Sequence, residues 1–256
     1  MNNSLPIRLS FVTCASNLQV LGERLLASPC LQRAGNPLAA YFNAPSAAHG
    51  FNAAMAAARI EPSNLPSQSS WLVWVHQDVY LPQGWDAVFT QALTAALRQF
   101  PKLAVAGVYG VIGAGTDARR AGHVLDRGTL LREPEPLPCL VDSLDELLFA
   151  VRVDSGLMLD AALGFDFYAT DLVLQAQARG WQCAVVDAYC EHWSGTPASG
   201  NLPDAVVKRI LTNGAVFEKK WHHRLPVTTP CFEIGQLGDV AQSMKQILAA
   251  PSQATP

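Results

Sequence analysis

Short runs of consecutive apolar residues alternate in the first half of the chain with longer stretches where apolar positions recur every three or four residues. The first run, at 7–14, breaks at Ala15-Ser16-Asn17, and Leu18, Leu21, Leu25 and Leu26 then follow helical spacing. A second strand is predicted at 37–42. An alanine-rich helix follows to about Arg59, with Ser46 placed so that its hydroxyl can satisfy an orphan backbone N–H. After a polar loop at 62–70, the wholly apolar residues 71–75 stop abruptly at His76-Gln77-Asp78. A helix over 84–100 and a strand over 103–109 continue the alternation. Strands alternating with helices predict a largely parallel sheet covered on both faces.

The second half is less regular. Residues 110–138 are punctuated by Gly and Pro and read as loops and short extended pieces. Periodicity returns at 144–152, where Asp145 and Glu146 interrupt an apolar segment, either as a buried polar site or on an exposed turn. A helix is predicted over 168–179, a strand over 182–186 and a helix over 203–222, and the tail after Ala250 reads as frayed. With no internal repeat or low-complexity linker, one α/β domain is the expectation: a mixed, mostly parallel central sheet with helices on both faces.

Composition narrows the classes. The 256 residues are 50% hydrophobic and 15% charged, with a net charge of −3, a balance that argues against disorder and against broad nucleic-acid binding. No apolar stretch reaches the roughly 20 residues of a membrane span, and the first residues lack a signal-peptide layout. The six cysteines form no Cys-x-x-Cys pair, so reduced thiols and a cytoplasmic location are expected. Gly113 to Ala118 contains Gly-x-Gly-x-x-Ala, but no amphipathic helix follows it, so a dinucleotide loop is not expected.

Three apolar strands each end in a polar cluster: Thr13 to Asn17, Asn43 to Ser46, and His76 to Asp78. Parallel strands bring such ends to one sheet edge, where α/β folds bind ligands; the same residue types also stop strands and cap helices. Asp78 follows an interior strand and can hold a divalent cation that neutralises a diphosphate, or serve as a turn residue before Pro82 and Gly84.

The segment from His76 to Trp85 resembles the "HQDV" segment of a bacterial branch of GT-A-fold glycosyltransferases similar to the large family 2 of nucleotide-sugar enzymes. The likeness continues through Val141 to Arg152, Leu163 to Gly180, and Cys190-Glu191-His192-Trp193-Ser194-Gly195, and covers about 7–225. It implies a GT-A-like nucleotide-binding half at about 7–110, an acceptor and catalytic half at about 111–225 and a C-terminal extension at 226–256. Asp78 stands where the family carries its Asp-x-Asp motif, beside Gln77, and His192 is implied as a further metal ligand or a diphosphate contact. Ala169 occupies a position that is often the family's catalytic Asp, which leaves Asp171 or Asp166 as the base; Asp171 also suits a helix first turn.

The implied activity moves a sugar from a nucleotide-diphosphate donor, UDP- or dTDP-type, to the hydroxyl of a glycan or small-molecule acceptor. A divalent cation (Mn or Mg) assists, the anomeric centre is inverted, and polysaccharide biosynthesis is the setting. The alternative is a related protein that binds a nucleotide sugar or a partner without catalysis. Leaving-group charge calls for a cation, and acceptor activation calls for a carboxylate base. Thr13, Asn17, Asn43, Asn52 and Gln77 are assigned to the nucleotide, and Asp145 and Glu146 to substrate.

Overall fold

A computed structural model describes residues 6–60, 69–195 and 202–249. The chain runs β1 (Ile7–Ala15), α1 (Leu18–Glu23), β2 (Leu38–Phe42), α2 (Ala47–Ile60), β3 (Ser69–Val75), β4 (Val79–Tyr80), α3 (Trp85–Gln99) and β5 (Leu103–Gly107). It continues through β6 (Tyr109–Ile112), β7 (Arg119–Asp126), β8 (Thr129–Arg132), β9 (Cys139–Leu140), β10 (Ser143–Leu144) and β11 (Leu148–Arg152). Then come α4 (Tyr168–Ala178), β12 (Gln182–Val185), β13 (Cys190–His192), α5 (Asp204–Trp221), β14 (Val227–Thr228), β15 (Glu233–Ile234) and α6 (Asp239–Ala249).

The main sheet has seven strands in the order β2-β1-β3-β11-β5-β12-β9. Strands β2, β1, β3, β5 and β12 share one direction, while β11 is inserted antiparallel between β3 and β5 and β9 is antiparallel at the edge. This is a mixed, mostly parallel α/β sheet. Strand alternation divides its side chains between two cores. Trp71, Val73 and Val75 of β3 join the helix residues Trp85, Phe89 and Leu93 on one face. Leu72 and Trp74 join Phe51, Met55 and Leu172 on the other. Helices α1 and α3 thus cover one face, and α2 and α4 the other. The α3 residues Trp85, Phe89, Leu93 and Ala96 recur at three- and four-residue spacing and are all buried, each large one contributing about 1.5–3 kcal/mol. Ser46 does cap α2: its hydroxyl accepts the His49 N–H at 3.2 Å.

The stretch expected to be loops supplies β6, β7 and β8 to a second, six-stranded sheet ordered β10-β6-β7-β13-β4, with β8 paired to β7. Its glycines reflect close packing as well as turns. Gly122 (φ 133°) sits where a Cβ would lie 2.4 Å from the Val108 carbonyl. Helices α5 and α6 close a third apolar cluster with Phe167, Phe217, Trp221, Val240 and Met244. Most of the polar loop expected at 62–70 and the tail after Ala250 fall outside the described residues, although Ser69 and Ser70 already belong to β3. Among the described residues no helix is long and apolar enough to cross a membrane.

Two glycine substitutions test this packing. Gly122→Ala should cost about 3 kcal/mol or more, because both the backbone conformation and the space oppose a methyl group. Thermal unfolding should then fall by roughly 6 °C or more. Gly22→Ala in α1, where nothing lies within 4 Å of the added methyl, should instead gain roughly 0.5–1 kcal/mol.

Candidate metal centre and ligand cleft

The carboxyl ends of β1, β2 and β3 open on a cleft of about 670 Å³, lined there by Cys14 to Ser16, Asn43, Ala44 and His76 to Asp78. The polar clusters at the three strand ends therefore do converge. The antiparallel direction of β11 adds a fourth contribution. Its first residue, Leu148, pairs with Val75, the last of β3, so Asp145 and Glu146 arrive at the same rim. The far wall is more apolar and comes from Phe165, Phe167, Ile210, Phe232, Met244 and Ile247.

On the cleft floor His76, Asp78 and His192 each offer one ligand atom, and these atoms lie within 4.8 Å of one another. Sheet register explains the gathering. After β3 a turn, closed by the Val79 N–H donating to the His76 carbonyl at 3.2 Å, brings His76 and Asp78 together. Strand β4 then pairs with β13 so that His192 stands opposite Val79. On its other side β13 pairs with β7, placing His192 opposite Asp126. Paired residues present their side chains on the same face, and His192 Nδ1 lies 2.8 Å from Asp126 Oδ1.

The outer nitrogen of each imidazole is occupied. Trp74 Nε1–H donates to the Tyr168 hydroxyl at 3.1 Å, and that hydroxyl donates to the Glu146 carbonyl at 3.3 Å. His76 Nε2 lies 2.7 Å from the same hydroxyl, and the tautomer that donates Nε2–H to it is the one that leaves Nδ1 unprotonated. Asp126 likewise holds His192 through Nδ1–H, leaving Nε2 turned inward. These inner nitrogens lie 4.0 Å (His76) and 3.4 Å (His192) from Asp78 Oδ1. Outer partners that fix ring orientation and tautomer are the usual support of metal-bound histidines. Two imidazoles and one carboxylate therefore fit a divalent cation, and the nitrogen content suits Mn²⁺ or a softer ion better than Mg²⁺.

Electrostatics set the protonation of the three groups before any cation binds. Burial pulls His76 down to about 4, with His192 and Arg209 adding to the effect against Asp78, so it is neutral at physiological pH. Burial opposes ionisation of Asp78, but the His192 hydrogen bond and the nearby imidazoles bring it to about 2. Burial would also lower His192, yet hydrogen bonds to Asp126 and Asp78 raise it to about 9.

Behind the triad is a second group of carboxylates. Glu146 Oε1 is buried with no hydrogen-bond partner among the described residues. Burial, then Asp166 and Asp145, push its carboxyl well above the ordinary range. Asp145 is also raised by burial, although the Leu147 N–H bonds its carboxylate at 2.9 Å. Asp166 lines the cleft but is held by Arg209 through Nε and Nη2 at 2.9 and 3.1 Å and by Asn213 at 2.8 Å.

Several expected site residues have other work. Asp171, expected as the base, is completely buried outside the cleft lining. Its oxygens accept from Trp221 Nε1 at 2.7 Å, Lys220 Nζ at 2.6 Å and Gln175 Nε2 at 2.6 Å, which locks α4 to α5. Asn52 clamps Leu159 through both its backbone N–H and its carbonyl, each at 2.9 Å. Asn17 caps α1 by accepting from Gln19 and Val20. Thr13 is buried within β1, its hydroxyl without a partner among the described residues. Gln77 reaches the cleft, but Oε1 is taken by the backbone N–H groups of Ser16 and Asn17, both at 3.0 Å. Asn43 remains exposed at the rim.

Sequence reasoning missed Asp126, Arg127, Tyr168 and Arg209. One signal was available: Arg127-Gly128 between two apolar runs reads as a two-residue hairpin turn. Among the described residues the non-glycine positions with positive φ are Asn43 (51°), Arg127 (48°) and Phe167 (65°), and all three line this cleft. Such conformations cost of order 1–2 kcal/mol each and cluster where geometry serves a ligand.

No family model matches the chain. It is 29% identical over 137 residues to "ATP synthase subunits region ORF 6" of Fuscovulum blasticum, covering 52% of this chain and 55% of that protein. The chain thus spans about half the length of the curated relative it matches. Among solved structures, an inositol-1-phosphate CTP transferase from T. maritima is 12% identical, covering 81% of this chain and 96% of its own, with a TM-score of 0.30. A 4-diphosphocytidyl-2C-methyl-D-erythritol synthase from Anaerococcus prevotii DSM 20548 is 9% identical, covering 82% and 98%, with a TM-score of 0.33. These scores are too low to bear on function.

Two outcomes follow from the geometry. A cation must displace the His192 proton, so Mn²⁺ affinity measured by calorimetry should climb with pH, by up to tenfold per unit, and level off above about 9. Asp171→Asn should cost about 2–4 kcal/mol in thermal unfolding by breaking a buried ion pair, while Mn²⁺ affinity stays as in the wild type.

Proposed function

We propose that this protein is a metal-assisted glycosyltransferase of the GT-A type, moving a sugar from a nucleoside-diphosphate donor to an acceptor hydroxyl. The observation that carries this reading is the convergence of His76, Asp78 and His192, with both outer ring nitrogens already engaged, at the carboxyl ends of parallel strands. The donor lies over the ends of β1 to β3, near Ser16 and Asn43, and its diphosphate meets the triad. A divalent cation held by His76, Asp78 and His192 would supply positive charge opposite the departing diphosphate. The acceptor enters from the side of Arg209 and the apolar wall.

With Asp171 withdrawn from the cleft, Glu146 takes the acceptor proton. It lines the cleft, its Oε1 has no hydrogen-bond partner among the described residues, and burial raises its carboxyl well above the ordinary range, so it accepts a proton only in its ionised form. Attack on the face opposite the diphosphate inverts the anomeric centre. A second reading, donor binding without transfer, draws on the burial of Asp171.

Incubation with UDP-, dTDP-, GDP- and CDP-linked sugars and Mn²⁺ tests the proposal, with release of nucleoside diphosphate as the readout. Slow donor hydrolysis is expected, lost in Asp78→Ala. Glu146→Gln should lower turnover by about 10²-fold or more while donor binding persists. Binding without release would favour the second reading, and absence of both defeats the transferase assignment.

A further inference from the structure

We propose that Arg127 grips the diphosphate of the cleft's ligand, an inference that rests on reading the cleft as a nucleoside-diphosphate site. Strands β7 and β8 are joined by the two-residue turn Arg127-Gly128, with Asp126 paired to Thr129. Both turn residues have positive φ, 48° and 79°, the mark of a turn that favours Asn-Gly. An arginine in the first position is unfavourable for the backbone, and its side chain lines the cleft.

The guanidinium is nearly unengaged. Its Nη1 contacts Asp126 Oδ2 at a loose 3.3 Å, and its remaining N–H groups have no partner among the described residues. The side chain is 39% exposed. Arg209, the cleft's other guanidinium, is held in two bonds by Asp166. The Asp126 carboxylate touches His192 with one oxygen and Arg127 with the other, so the free guanidinium stands beside the metal triad. The Arg127 N–H also bonds the His192 carbonyl at 3.0 Å, which fixes the turn against the same strand. Five carboxylates line this cleft, so an anionic ligand needs positive charge beyond the cation. A planar guanidinium with free donors suits phosphate oxygens.

The turn geometry supplies variants that separate charge from folding. Arg127→Asn and Arg127→Gly suit the left-handed backbone and remove the charge; Arg127→Lys keeps the charge. Calorimetry with UDP, CDP and pyrophosphate in the presence of Mn²⁺, and with Mn²⁺ alone, reads the effect. We expect at least tenfold weaker diphosphate binding for Asn and Gly, substantial recovery for Lys, Mn²⁺ affinity within about twofold, and melting temperatures no lower than wild type. Unchanged diphosphate binding in Arg127→Asn overturns this proposal alone. A wild-type protein that binds none of these diphosphates overturns the nucleotide reading, and this proposal with it.

Discussion

The buried hydroxyl of Tyr168 has three hydrogen-bonding positions, and all are filled. It accepts from Trp74, shares a 2.7 Å hydrogen bond with His76 Nε2 and lies 3.3 Å from the Glu146 carbonyl. Through one oxygen atom the first residue of α4 is tied to β3, to the turn after it and to the approach to β11. An unmet polar group in such surroundings would cost a few kcal/mol, so the hydroxyl tolerates little displacement. The orientation of His76, and with it the cation site, follows from this saturation. Trp74 also stacks on Phe149 in the apolar core, so the interior packing and the polar floor of the cleft are one assembly.

The cleft concentrates charge that an ordinary interior would not accept. Asp78, Asp126, Asp145, Glu146 and Asp166 share it with Arg127, Arg209 and the two histidines. Hydrogen bonds and opposite charges keep Asp78 and Asp126 ionised, whereas burial raises Asp145 and Glu146. Neighbouring carboxyls of such divergent acidity are a common feature of functional sites. The same arrangement strains the native state, and the three left-handed non-glycine residues on the rim add to that cost.

Much of the architecture was legible because it follows local periodicity. The runs at 7–14 and 71–75 and the helix at 84–100 match β1, β3 and α3 closely. The second sheet was not legible, because its strands are short and pair across long separations; glycines that serve packing, such as Gly122, look like loop residues in sequence. Convergence at the strand ends was readable, since parallel strands require it. Which carboxylates face the cleft was not. Asp171 sits in a helix first turn beside a cleft, and nothing local reveals that Trp221 and Lys220, some fifty residues later, close over it. Asp126 joins His192 only through the β7–β13 register, which is a property of the sheet and not of any short motif.

The two C-terminal helices pack through an apolar cluster of their own and still supply Ile210, Met244 and Ile247 to the cleft wall. None of His76, Asp78 and His192 comes from them. Evolution can therefore remodel this helical pair, altering which molecules are admitted, without disturbing the imidazoles and carboxylate on the sheet. Grafted C-terminal helices from a relative would be a natural route to altered selectivity on an unchanged polar floor.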